Sequence, residues 1–247
     1  MTTAVRSFLD AHVARIEPLS RDVNLAYWSA TISGKPEDFE RYARLEVELQ
    51  KVYTSAREFE EVKGWLAASG VDGLERRQLD LLYRVYLRNQ IDPAHIEEMT
   101  RLSSKIVQSF GTYRAHVDGR SLTGNDVRNA LKQSTDAAYR RRVWEADKAV
   151  GREVRDDLLR LVRLRNEVAR SLGFADYYVM SLELSEQQAD DMSALFDRLD
   201  LATREPFARA KAEIDAALAL RYAVRPGDLR PWHYEDPFFQ EAPRVFD

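Results

Sequence analysis

Cysteine is absent from the 247-residue sequence. Without thiols the chain can form neither a disulfide framework nor a thiolate zinc site, whichever compartment it occupies. Long hydrophobic runs are missing as well, because no window approaches about 18 apolar residues and the N-terminus has no apolar signal core. These absences predict a soluble, cytoplasmic protein with no membrane partner.

An excess of charge of one sign is also missing. The 37 basic and 41 acidic side chains leave a net charge of −4, and the signs alternate along the predicted helix faces. Such a surface does not attract a phosphate backbone, so we predict that nucleic acid is not a partner. The ten glycines are scattered as helix ends and loop residues, and they form no glycine-rich phosphate loop.

What the sequence does contain is a strong helical period. From Ser134 to Gly173 apolar residues recur at helical steps, which keeps one face inward. Ser134, Thr135 and Asp136 can cap the N-terminus of this helix, and Gly173 suits the left-handed position that follows a helix. We therefore predict one uninterrupted helix, with Trp144 on or beside its buried face. At about 1.5 Å per residue it would span roughly 55–60 Å, which favours an elongated molecule.

Two further helices contain prolines that should disturb them. A second long helix is predicted from the capping pattern at Ser185 to about Tyr222, and Pro206 should bend or break it. Pro18 should likewise kink or interrupt the first helix of the chain. We therefore expect helices to dominate, with a kink, bend or break at these positions.

Strand structure is expected to be small. It is predicted only near the connection at 117–122 or within 226–243. No linker and no fixed-period repeat divides the chain, so the sequence predicts an all-α fold in a single helical unit over residues 1–247.

The composition changes after Arg225. Residues 226–247 are rich in proline and aromatic residues, which predicts ordered irregular chain lying across the protein. Within this segment Trp232, His233 and Tyr234 are candidate substrate-binding residues, because an imidazole among aromatic rings and carboxylates can contact a substrate. Packing is the alternative role for these side chains. No cap or closing element follows, so the segment is expected to lead into a missing further part of the protein.

The histidines do not form the pattern of a metal site. A zinc hydrolase site of the HExxH type needs two histidines one helical turn apart, a glutamate between them and a third ligand elsewhere. The four histidines are scattered outside any such pattern: His12, His95, His116 and His233. We therefore assign no catalytic residue and no metal ligand, and we predict that this chain alone binds no metal. Asn166, a poor helix former in mid-helix, is predicted to make a buried hydrogen bond.

Four blocks of the sequence carry a resemblance to known proteins. They are NLAYWSATISG, VWEADKAVG, RNEVARSLGFADYY and PWHYEDPFFQEAP. Together they resemble the N-terminal half of helical zinc oligopeptidases related to angiotensin-converting enzyme and to the thimet oligopeptidase and oligoendopeptidase group. The resemblance implies an elongated multi-helix assembly that forms the lid and one wall of a deep channel. Such channels admit short peptides and exclude folded proteins.

The resemblance also implies that the substrate channel and the zinc site come from different parts of the protein. In these families the HExxH helix and the third zinc ligand lie downstream, in the C-terminal half, so no family catalytic residue is carried onto this chain. We expect the substrate-channel portion of a zinc-dependent metallopeptidase, inactive alone, whose partners are short peptides and the catalytic half. Self-association through uncovered aromatic surface is a further expectation. The alternative is a stand-alone helical scaffold that binds a peptide or partner without catalysis.

Overall fold

The computed structural model describes residues 2–71 and 73–245 and is almost entirely helical. The prediction of an all-α fold is confirmed. The elements described are α1 (Thr2–Ser33), α2 (Pro36–Val52), α3 (Ala56–Ala67), α4 (Gly73–Arg88), α5 (Pro93–Thr112), β1 (Ala115–Val117), β2 (Arg120–Leu122), α6 (Gly124–Gln133), α7 (Ala137–Lys148), α8 (Val150–Ser171), α9 (Tyr177–Leu184) and α10 (Ala189–Tyr222). The predicted elongated shape stays a prediction.

The two strands form a tight antiparallel hairpin. Its turn consists of Asp118 and Gly119, whose φ angles are 51° and 78°. Two successive positive φ angles are the signature of the turn that matches strand twist, and Asp-Gly favours it. Among the described residues this is the one sheet, and it lies where the sequence predicted strand, near 117–122.

The predicted cap at Asp136 and the predicted helix end at Gly173 are confirmed. Thr123 and Asp126 form a reciprocal capping box at the start of α6. The carboxylate of Asp136 accepts the N–H groups of Ala138 and Tyr139 at the start of α7. Gly173 has a φ of 92°, and the next N–H reaches back to the carbonyl of residue 169 to close α8.

The prediction of one continuous helix over 134–173 is wrong. The structure divides it into α7 and α8 at Ala149. The hydroxyl of Tyr113 donates a 2.7 Å hydrogen bond to the carbonyl of Ala146, which a continuous helix would pair with the N–H of Val150. A side chain that enters the backbone ladder in this way interrupts a helix.

Neither proline interrupts its helix. α1 continues through Pro18 and α10 continues through Pro206, so the predicted interruption is wrong at both positions. A kink at Pro18 or a bend at Pro206 stays a prediction. Each proline removes one backbone hydrogen bond from a helix of more than 30 residues, and the remaining bonds carry the helix onward. α10 also begins later than predicted, because Ser185 donates its N–H to α9 and ends that helix instead.

The described residues fall into two compact units. Unit 1 comprises Met1–Gly111 and Asp156–Ala189, and unit 2 comprises Thr112–Arg155 and Asp190–Asp247. The prediction of a single helical unit over 1–247 stays a prediction. Within the described ranges, no helix is both long and apolar enough to cross a membrane.

Unit 1 has an aromatic core in which a histidine is buried. The ring of His12 lies 5.5 Å from that of Tyr53 and 6.1 Å from that of Tyr86. Neither imidazole nitrogen has a hydrogen-bond partner among the described residues. Burial lowers the pKa of His12, nearby Arg15 lowers it further, and Glu58 opposes them. His12 is therefore a neutral core residue.

Unit 2 has its own core around the hairpin. Its buried members come from β1, α6 and α7: Ala115, Val117, Val127, Leu131 and Val143. Trp144 is half-buried and packs against this cluster. The prediction that Trp144 lies beside the buried face is confirmed.

Candidate functional site

A cavity of ≈ 630 Å³ lies within unit 1. Its walls come from α1, α2, α4, α5, α8 and α9 and from residues that follow α2 and α4. This volume is within the roughly 300–1,000 Å³ of small-ligand sites in proteins. The cavity is therefore large enough to take a small organic ligand or a segment of peptide.

Four tyrosines give the cavity an amphipathic wall: Tyr27, Tyr42, Tyr53 and Tyr177. The rings of Tyr27 and Tyr42 are 5.1 Å apart. Burial raises the pKa of Tyr42 to about 12, with smaller contributions from Glu46 and Tyr27. Burial also raises the pKa of Tyr53. Both hydroxyls are therefore neutral at physiological pH and can donate or accept hydrogen bonds.

Two contacts position the guanidinium of Arg165 in the cavity wall. The side-chain oxygen of Asn166 accepts the N–H of Tyr177 at 3.0 Å, which fixes the start of α9 against α8. The guanidinium carbon of Arg165 lies 4.9 Å from the centre of the Tyr177 ring. Arg165 and Tyr177 both line the cavity. The predicted hydrogen-bonding role of Asn166 is confirmed, and its effect is to orient the aromatic support of Arg165.

The α5 wall of the cavity supplies small hydroxyl groups. Thr100, Ser103 and Ser104 line it, and Ser104 is 6% exposed. The Ser104 hydroxyl has no hydrogen-bond partner among the described residues. A buried hydroxyl without a partner is destabilising by itself, so a ligand that bonds to it gains from satisfying it. The cavity therefore combines aromatic, cationic and neutral polar groups.

The candidate residues of the C-terminal segment lie in unit 2, around a buried arginine. Arg140 is 1% exposed. Its guanidinium donates to the carbonyls of Trp232 at 2.6 Å and Tyr234 at 2.9 Å. It also donates to the carbonyls of Leu131 and Ser134. Arg140 thereby ties the irregular segment to α6 and α7.

Two of the candidate side chains make hydrogen bonds within the chain. Nδ1 of His233 accepts the N–H of Arg230 at 2.8 Å. Burial lowers the pKa of His233, with nearby cations acting in the same direction. The hydroxyl of Tyr234 donates to Asp215 at 2.7 Å and accepts from Lys211 at 2.8 Å.

The Trp232 ring is half-buried beside that of Trp144, with 6.2 Å between the ring centres. The fold therefore brings the three candidates together, and substrate contact by Trp232, His233 and Tyr234 stays a prediction. Phe238 and Phe239 beyond them are exposed.

The described residues do not fit the zinc ion that the resemblance implies. Over 2–71 and 73–245, no three His, Asp or Glu side chains come together in a way that could hold a metal ion. His12 is enclosed by aromatic rings, and His233 binds a backbone N–H. His116 is exposed on β1. No chemical step through zinc is therefore derived from these residues.

Sequence reasoning missed the cavity of unit 1. Its residues come from helices distant in sequence, so no local spacing brings them together. The one available signal was the Arg165-Asn166 pair, whose asparagine disfavours helix yet occurs in the middle of one. That signal predicted a hydrogen bond at Asn166 but not the neighbouring cation in a cavity wall.

A family model described as Peptidase M2, angiotensin-converting enzyme, matches residues 1–203. None of the curated proteins compared matches the chain.

Proposed function

Since a match over residues 1–203 covers more than half of the 247 residues, the chain belongs to the angiotensin-converting enzyme family of peptidases, and we propose that it is the substrate-channel and lid portion of a zinc-dependent oligopeptidase. In this role the chain binds short peptides and presents them to a catalytic part that carries the HExxH motif. The observation that carries the proposal is the family match itself. We also propose, from the sequence resemblance, that the chain is related to the thimet oligopeptidase and oligoendopeptidase group.

The chemistry of the unit 1 cavity supports peptide binding. A short peptide offers aromatic or aliphatic side chains, neutral amides and charged ends. The tyrosines supply apolar area with neutral hydroxyls, Ser104 supplies an unsatisfied hydroxyl, and Arg165 supplies a cation. A pocket of mainly apolar surface with a few placed polar groups is the usual form of a binding site.

The zinc chemistry is proposed to belong to another segment. When bound, zinc supplies a water of lowered pKa and polarises the scissile carbonyl. The residues of this chain contribute binding and exclusion of folded substrates, and they provide no general base or ligand. Trp232, His233 and Tyr234 are kept as a second proposed region of substrate contact.

The proposal is tested by cleavage assays with and without a separately produced catalytic part. That part is a polypeptide with the HExxH helix of a family member, and the substrates are a fluorogenic short peptide and a folded protein of similar cleavage sequence. We expect cleavage of the short peptide only when both polypeptides are present, abolished by a chelator and restored by zinc. The chain alone is expected to leave both substrates intact.

Two results would contradict the proposal. Chelator-sensitive cleavage by the purified chain alone would show that its histidines form a zinc site. If the mixture formed a complex without cleaving the peptide, the channel proposal would fail, and peptide binding by the chain alone would then favour the non-catalytic scaffold.

A further inference from the structure

We propose that α10 forms a homodimer interface, in which the exposed stretch 193–210 pairs antiparallel with the same stretch of a second copy of this chain. This pairing is independent of the proposed peptide function. Three features of α10 support it: the exposure of the stretch, an apolar stripe along one side, and charges that match when the stretch is turned end to end.

A long part of α10 lies in solvent. Every residue from 193 to 210 is exposed, so none of the described residues covers about 27 Å of helix. Helices in proteins owe most of their stability to the packing of an apolar face. Pro206 weakens the stretch further, because it removes one backbone hydrogen bond. The stretch therefore gains stability from a partner that covers it.

An apolar stripe runs along this stretch. Its residues recur at helical steps and share one side of α10: Met192, Leu195, Phe196, Leu199, Thr203, Phe207 and Ala210. The two phenylalanines dominate the stripe, and they are 61% and 67% exposed. Contiguous exposed apolar surface of this kind marks an interaction site.

The symmetry of the stripe favours a second copy as the partner. Phe196 and Phe207 lie equally far from the midpoint between residues 201 and 202. When two copies run antiparallel about that point, Phe196 of each copy lies opposite Phe207 of the other. A two-fold interface requires such self-complementarity, because each contact occurs twice with the roles exchanged.

The charges of the stretch match in the same arrangement. Residues 190–201 carry four aspartates and one arginine, whereas residues 202–213 carry two arginines, one lysine and two glutamates. Antiparallel pairing places the acidic half of each copy against the weakly basic half of the other. Parallel pairing would place the two acidic halves together, which is unfavourable. The charges therefore select the antiparallel orientation.

The size of the contact indicates a weak dimer. Aromatic side chains bury about 150–250 Å² each, so the exposed parts of Phe196 and Phe207 offer roughly 200–300 Å² per copy. The smaller stripe residues add less, which keeps the total for two copies below the roughly 1,600 Å² of a standard interface. We therefore expect a dissociation constant on the order of 10 μM.

The direct test is sedimentation velocity of the intact chain, which should shift from monomer to dimer across the micromolar range. Phe196→Arg places a charge in the stripe and should weaken dimerisation about tenfold or more, because central aromatic residues dominate interface energies. Leu201→Arg is the matched control. Leu201 is 71% exposed and lies on the other side of α10, two residues from Leu199, so this variant should dimerise like the parent. Circular dichroism checks that both variants keep the helical content of the parent.

Single cysteines test the orientation, because the chain has none of its own. Thr203→Cys lies beside the midpoint, so a short bis-maleimide reagent should join two copies efficiently. In an antiparallel pair, the cysteines of Ala210→Cys lie about 26 Å apart along the helix axis and should not be joined. Equal joining at positions 203 and 210 would contradict the antiparallel arrangement.

Two further results would overturn the proposal. If the chain stays monomeric across the micromolar range, and 193–210 gains protection from hydrogen exchange only when the catalytic polypeptide is added, the stripe is the contact for that part. If dimerisation survives Phe196→Arg, the interface lies elsewhere, as on the exposed rings of Phe238 and Phe239. Neither result decides whether the chain binds peptides, so the proposed function is tested separately.

Discussion

Replacing Arg140 by methionine should destabilise unit 2 severely. The substitution keeps most of the aliphatic stem but removes a guanidinium that is 1% exposed and donates to four backbone carbonyls. Those carbonyls belong to α6, to Ser134 and to the segment of Trp232 and Tyr234. The variant therefore leaves them buried without a donor and releases the irregular segment from α7.

The magnitude follows from opposing contributions. A buried carbonyl left without its donor costs about 1–3 kcal/mol, so four such carbonyls cost about 4–12 kcal/mol. Burying a guanidinium without a bonded carboxylate costs several kcal/mol, and the same burial lowers the pKa of Arg140. The net loss on substitution is therefore about 3–5 kcal/mol, a large part of the stability of an ordinary domain.

The assay is urea unfolding monitored by circular dichroism. Hydrogen exchange then shows which residues lose protection. We expect Arg140→Met to lower the unfolding midpoint and to speed amide exchange over 231–236. The matched control is Arg142→Met, which removes an exposed arginine of the same helix that pairs with Asp118. The control should unfold close to the parent because exposed ion pairs contribute little. Equal behaviour of the two variants would refute the assignment of Arg140 as the tie between α7 and the segment.

Three further predictions concern separate elements. Because burial lowers the pKa of His12, the unfolded chain takes up a proton that the fold excludes, so stability should fall as pH drops below about 6.5. His12→Phe should reduce this fall in pH-dependent melts, whereas exposed His116→Gln should not. Trp144→Ala should lower the free energy of unfolding, measured in urea, by about 2–4 kcal/mol, which is less than the loss for a fully buried tryptophan. Unchanged stability would place Trp144 on the surface. Thr123→Ala should cost about 0.5–2 kcal/mol through loss of the cap of α6, and Thr123→Ser should restore most of it; equal melting of both variants would contradict the cap.

Local chemistry was predicted well where it depends on neighbours in sequence. The Asp136 cap, the left-handed Gly173 and the strand structure near 117–122 each involve residues a few positions apart. In such cases the interacting groups are close whatever the remaining fold does. Sequence patterns therefore predicted the all-α fold class and the helix ends at Asp136 and Gly173.

The errors arose where distant residues decide the outcome. The periodic pattern over 134–173 gives no sign that Tyr113 will take the carbonyl of Ala146 and divide the helix. The long helix around Pro206 continues although one backbone bond is lost. Three consecutive arginines at 140–142 look alike in the sequence, yet only the first is buried, where it donates to four carbonyls.

The candidate site shows the same limit. The aromatic composition of the C-terminal segment predicted a role in substrate binding. In the structure, Arg140 of unit 2 donates hydrogen bonds to two backbone carbonyls of this segment. The cavity of unit 1 is assembled from six helices, so its residues share no motif. Only the tertiary arrangement brings Arg165 to the cavity that Ser104 lines.

The central claim is that the unit 1 cavity binds a short peptide. It is tested most directly by photo-crosslinking a short free-acid peptide that carries a benzophenone residue, with mass spectrometry to map the adducts on the intact chain. The account predicts adducts on the cavity faces of α2 and α5, over 42–50 and 99–107, that disappear when unlabelled free-acid peptide is added in excess. Adducts confined to 232–234, or adducts that unlabelled peptide does not displace, would contradict it.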